Sequence, residues 1–238
     1  MNKIIVVLLL ITSNLIGQTN SKFVYGVTAI VNKDSKVDEM MKSLSPNYEN
    51  LISGIEFNLI TNDSIASFSI NKKTVPDDAG VQMFLTLSNY SGILNQTKEF
   101  LFTEKKYDYL EKTYTIKDSV YKNWQILDES KEIMGYKCYK AIGEKIVIND
   151  AGKFTDKIIA WFCPSIPLQY GPIGYGNLPG LIFELQTKKT LYGLKKIEYN
   201  STESIALIDE KNISIKYEDF VKIIKESREK RKQIMNGN

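Results

Sequence analysis

Apolar and polar residues alternate along most of the chain after its first twenty positions. F-V-Y-G-V-T-A-I-V, residues 23–31, is rich in β-branched residues and reads as a strand. Residues 55–61 place Ile55, Phe57 and Leu59 on one face, and residues 64–70 place Ala66, Phe68 and Ile70 on one face. Thr61, Asn62 and Asp63 supply the turn between them. Further strand-like runs begin at Lys98, Tyr109 and Asn123, at the 8–12-residue spacing of a meandering antiparallel sheet. Residues 181–187 and 191–199 continue the pattern.

Helical spacing interrupts it in two places. Val37, Met40, Met41 and Leu44 recur at helical intervals, with Asp34 or Ser35 as the cap and Pro46 beyond the end. These methionines read as packing against the sheet in preference to a methionine metal site. Tyr217, Phe220, Val221 and Ile224 mark a C-terminal helix starting at about residue 216, whose last turns carry only charge. Residues 71–96 are ambiguous, and V-Q-M-F-L-T-L fits either a strand or a helical turn. The expected fold is mainly β, a β-rich α+β domain with a curved antiparallel meander sheet, a short N-terminal helix and a C-terminal helix.

Residues 134–148 and 153–163 form the clearest hairpin, joined by N-D-A-G. Pairing Ile148 with Lys153 and continuing down the ladder sets Cys138 opposite Cys163, the only two cysteines. Opposed Cβ atoms lie about 4.5–5.5 Å apart, near what a disulfide needs. In an exported chain a Cys138–Cys163 bond is expected, worth about 3 kcal/mol in the chain-entropy model. Two reduced core cysteines, or a ladder shifted by a bulge, are the alternatives.

Export is suggested by the N-terminus. Lys3 precedes an apolar run, Ile4 to Ile16, that is short for a membrane span, and Gly17 stands at a plausible cleavage point. Residues 1–17 read as a signal peptide and 18–238 as a single domain. No cysteine follows the run, so a lipoprotein anchor is not expected. The destination would be the periplasm, the cell surface or the medium. Residues 222–232 hold six basic and two acidic side chains, whereas the rest of the exported chain has 24 basic and 26 acidic. The basicity is a local tail, so no nucleic-acid partner is expected.

Histidine is absent from all 238 residues, which removes Ser-His-Asp triads, Cys-His dyads and imidazole zinc sites. S-x-x-K occurs at Ser69–Lys72, Ser119–Lys122 and Ser227–Lys230, as chance would give in a Ser- and Lys-rich chain. Carboxylates are scattered. No catalytic residue, metal or cofactor is assigned, and a carboxylate- or Ser-Lys-based hydrolase is the enzymatic alternative. In G-P-I-G-Y-G-N-L-P-G-L-I-F-E-L, residues 171–185, Pro179 stands where a dinucleotide loop needs its third glycine. The stretch reads instead as a rigid connection.

G-N-L-P-G-L-I resembles the signature of the GLPGLI family of exported proteins, which has no established biochemical function. Gly171, Pro172, Gly176, Leu178, Pro179, Gly180, Leu181 and Ile182 carry the likeness. W-Q-I-L-D-E-S-K-E-I-M-G-Y-K-C-Y-K-A and A-W-F-C-P-S-I-P-L-Q-Y-G-P extend it upstream, with Phe162 and Cys163 as departures. The strand pattern is also similar to half-barrel proteins of the lipoprotein-carrier type, which hold an apolar cavity. These resemblances imply a non-catalytic envelope protein that binds a lipid, another hydrophobic ligand, or a partner such as an outer-membrane protein. Trp161, Tyr170, Tyr175, Asn177 and Phe183 would form its binding lip, with ordinary core packing the favoured alternative for Trp161 and Phe183, and Tyr175, set between glycines, is the expected exposed contact. An accessory with a purely structural role is the third reading.

Overall fold

The computed structural model describes residues 19–31, 35–88, 90, 92–106, 110, 112–149 and 152–235. The expected signal peptide, the candidate cap Asp34 and the hairpin residues Asp150 and Ala151 lie outside them. The strands are β1 (Asn20–Ala29), β2 (Glu56–Thr61), β3 (Ala66–Ile70), β4 (Leu94–Gln96), β5 (Phe100–Lys105), β6 (Tyr114–Ser119), β7 (Gln125–Ile133), β8 (Tyr136–Asn149), β9 (Gly152–Cys163), β10 (Leu181–Gln186), β11 (Thr190–Ser201) and β12 (Ile213–Ile215). Helices α1 (Lys36–Leu44), α2 (Tyr48–Ser53), α3 (Ala79–Leu87) and α4 (Tyr217–Met235) complete the described elements, with two short 3-10 turns.

All described strands join one sheet, in the order β12-β6-β5-β4-β3-β2-β1-β11-β10-β9-β8-β7. It consists of two meanders, β1 to β6 and β7 to β11, fused where β1 pairs with β11. The expected β-rich curved sheet is therefore present. It departs from the antiparallel expectation at one point, where β12 pairs with β6 in parallel.

The connection from β6 to β7 dictates the curvature. In a flat sheet the ten inter-strand spacings between them would span about 48 Å. Residues 120–124 bridge that gap, and six residue steps reach at most about 20 Å. The sheet must curl until its far strands approach each other.

Local chemistry explains the shorter elements. The Asn62 side chain accepts from the Ser64 and Ile65 amides at 2.9 and 3.0 Å, which builds the β2–β3 turn. The ambiguous V-Q-M-F-L-T-L is helical because the Asp78 carboxylate caps α3, accepting from the Val81 amide at 2.9 Å. α1 begins at Ser35, without a side-chain cap bond. Its methionines differ from expectation: Met41 is buried, whereas Met40 is 54% exposed, and the helix packs against α3.

The core joins aromatics from both meanders. Phe57 stacks on Phe68 at 5.2 Å, and Tyr192 meets both rings edge-on. The segment after β11 runs across β1, β4 and β5 before it forms β12. Glu203 pairs with Lys22, the Asn95 side chain bonds the Ala206 carbonyl and the Ile208 amide at 2.8 Å each, and Asn212 reaches Glu104.

Candidate functional site

The β8–β9 ladder runs from Ile148 opposite Lys153 to Tyr139 opposite Phe162, in the register read from the sequence. Cys138 and Cys163 come together at its end, but the expected disulfide is not formed; both are buried free thiols. Cys138 pairs with Lys131 of β7, Cys163 pairs with Leu181 of β10, and Cys138 Sγ lies 3.6 Å from the Tyr136 carbonyl. Regular pairing ends one position before the cysteines, so the register alone did not fix their bonding. Burial, then the neighbouring thiol, pushes Cys138 up to about 12.

From Cys163 the chain makes the long excursion that holds the glycine stretch. It is internally bonded: Asn177 donates to the Gln169 carbonyl at 3.1 Å, Leu181 to Ile166 at 2.9 Å and Ile182 to Tyr170 at 3.0 Å. Gly171 packs on Ile182, and Gly174 packs on Leu101 of β5. Gly176 lies against the Gln169 carbonyl and the Gln96 amide of β4, too close for any side chain. Gly180 has φ +153, and a Cβ there would collide with the Cys163 carbonyl. Ile173 is held at φ 47, ψ 33, a conformation costing a β-branched residue about 1–3 kcal/mol. Asn177, at φ 59, tolerates the same region more easily.

The β6–β7 connection closes over this excursion. Trp124 Nε1 donates to the Gly176 carbonyl at 2.8 Å, and Asn177 Nδ2 donates to the Tyr121 carbonyl at 3.3 Å. Tyr121, Trp124 and Tyr175 form an edge-on triad with centroids 4.9–6.0 Å apart. Tyr121 Oη accepts from the Glu144 amide at 2.8 Å and donates to a carbonyl at 3.0 Å. The motif thus touches β4, β5, β10 and the β6–β7 connection together.

The expected binding lip is largely internal. Tyr170 is 4% exposed, Phe183 is fully buried, and Tyr175, expected to reach solvent, is 7% exposed. Burial, with Tyr121 and Asp156 nearby, raises the Tyr175 phenol well above its ordinary value. Leu178, Leu181 and Ile182 are buried, as are Gly171, Pro172, Gly176 and Gly180, while Pro179 is exposed. Trp161 is half-buried beneath two lysines. Lys131 Nζ sits 4.5 Å from the ring centre and bonds Glu184 at 2.5 Å, and Lys140 Nζ sits at 5.8 Å and bonds Glu129 at 2.7 Å. Asn177 is half-buried and turned toward Tyr121.

Sequence reading missed two features. Lys105 of β5 is held down to about 8 by burial and then by Lys145 of β8, which brings two cations together from opposite ends of the strand order. A cleft of about 480 Å³ lies between the turn after β3 and α3, lined by Ile70, Val75, Pro76, Leu85 and Tyr90, with Lys72, Asp77 and Gln82 also in its wall. Neither has a local sequence signature, since each is assembled by pairing and packing. Among the described residues, no group of three or more Cys, Asp or Glu side chains converges as a metal site would require.

A family model described as a protein of unknown function (Porph_ging) matches residues 124–184, from Trp124 through the motif into β10. The curated proteins give no match. Two crystal forms of PNGF-II share the fold, with TM-scores of 0.53 and 0.51 at 12% identity, over 88% of this chain. The chain spans about a third of the length of PNGF-II, 34% and 33% in the two forms.

Proposed function

We propose that this chain is an exported, non-catalytic binding protein of the cell envelope, of the GLPGLI type, that acts on a partner protein through its surface. The observation that carries this reading is the burial of the expected lip. Tyr170, Tyr175 and Phe183 pack into the core, where a lipid-carrier reading would have them line a ligand site. Ile126, Ile146, Phe154 and Tyr199 remain exposed on the strands and are the kind of outward-facing apolar groups a partner would contact.

Native mass spectrometry of residues 18–238, which include every described element, tests the choice between partner and enclosed lipid. The expected result is the bare chain mass, unchanged on titration with phospholipid. A stoichiometric co-purified lipid would overturn the surface reading.

A further inference from the structure

The chain after β11 lies on the sheet as a bound peptide would. Lys22, Ile60, Ser67, Asn95, Phe102 and Lys117 stand opposite one another in turn from β1 to β6, so their side chains form a row on one face. Residues 202–212 follow that row. Glu203 pairs with Lys22 on β1, Ala206 and Ile208 sit on Asn95 of β4, and Asn212 reaches Glu104 of β5 at 3.2 Å. β12 then adds three residues to β6, in the one parallel pairing among the described strands.

Most of these contacts hold backbone. The Asn20 side chain donates to the Glu203 carbonyl at 2.9 Å. Asn95, itself buried, donates to the Ala206 carbonyl and accepts from the Ile208 amide, a two-point grip that an amide side chain can give any extended peptide. Leu207, between the gripped residues, is 64% exposed, so its side chain adds little to the hold. The floor also carries polar groups that this arm does not use. The Ser67 hydroxyl, next to Asn95 in the row, and the Thr115 hydroxyl, opposite Ser214 of β12, are buried and find no hydrogen-bond partner among the described residues. Buried hydroxyls are ordinarily satisfied, so an arm that served only to cover the sheet would leave neither in this state.

We propose that this row is a groove for an extended segment of a partner protein, and that residues 202–215 occupy it as a stand-in until the partner displaces them. The partner's segment brings an acidic side chain to Lys22, lays its backbone on Asn20 and Asn95, offers polar side chains to Ser67 and Thr115, and adds a strand to β6. The proposal rests on the partner reading above and names the chemistry of that partner. The same arm from a second copy of this chain is the competing occupant. The two hydroxyls argue against it, since an identical arm would leave them as they are.

The test is fluorescence anisotropy of a labelled peptide of residues 202–216 titrated with the protein of residues 18–238. Binding to the wild type should be weak, because the tethered arm competes at a high effective concentration. Glu203→Ala with Ile208→Pro loosens the arm and leaves the groove untouched, so peptide binding should tighten about tenfold. Lys22→Glu added to that variant should weaken the peptide about tenfold, and Glu203→Lys in the peptide should restore it. Circular dichroism confirms that each variant is folded, and the restored pair shows that the groove is intact. No binding to the loosened variant, or equal binding of both peptides to the Lys22→Glu protein, would overturn the proposal. A native mass of two chains for the wild type would give the groove to a second copy's arm and overturn it too. A co-purified lipid would sink the partner reading without changing the peptide titration, so the two failures are told apart.

Discussion

Gly180 faces two demands at once. Its φ of +153 is a conformation side chains resist, and the Cys163 carbonyl occupies the space a Cβ would need. Gly180→Ala should therefore lower the unfolding free energy by about 2 kcal/mol or more in a urea titration. Gly193→Ala, in β11 with nothing within 4 Å of its Cβ position, should change it by less than about 1 kcal/mol. Equal effects would show that the Gly180 backbone relaxes at little cost. At this scale the sequence was informative about rigidity and misleading about exposure. The glycines and prolines of residues 171–180 announced a fixed path. The glycines around Tyr175 suggested an exposed ring, whereas they let the backbone press against Gln169 and Gln96 and turn the ring inward. The cysteines show the same limit: hairpin pairing brought Cys138 and Cys163 together, but ladder position does not decide whether two sulfurs bond.

Among elements, legibility followed locality. The β8–β9 hairpin could be read to the exact partner because a short turn and two long alternating strands determine one register. β4 has three residues and β12 has three, too few to show alternation, and β12 finds β6 only after the preceding segment has crossed the sheet. α3 hung on one capping side chain, Asp78, within an apolar run that suits either structure. The β6–β7 connection carries no periodicity at all, yet it fastens the motif to the sheet. Trp124→Phe keeps a ring in the triad while removing the donor to the Gly176 carbonyl. It should destabilise the fold by about 1–3 kcal/mol, since the carbonyl of the buried Gly176 loses its partner. Trp124→Phe at wild-type stability in the same titration would mean that the bond does not hold the connection in place.

For the whole molecule, strand order is what the sequence concealed most completely. Alternation reports which residues share a face, not that β1 lies between β2 and β11 or that β6 and β7 stand far apart in the sheet. That order buries Lys105 and sets Lys145 near it, and the consequence can be measured. Lys105 titrates at about 8 in the folded chain and near 10.5 when unfolded. Between those values the unfolded state binds more protons, so this lysine makes stability rise with pH. Cys138 and Tyr48 act in the opposite sense. Their folded values are pushed up to about 12, from 9 and 10, and the buried Tyr25 and Tyr192 are raised as well. Above pH 9 the unfolded chain releases these protons first, so stability falls as pH climbs toward 12. The two trends together predict a stability maximum near pH 9, measured as the urea midpoint at half-unit steps from pH 7 to 11. Lys105→Met should be more stable than the wild type at pH 7, lack the rise from pH 8, and keep the alkaline decline. A wild-type midpoint that falls steadily from pH 7, or a variant that retains the rise, would show that the curled sheet does not hold Lys105 in a buried site.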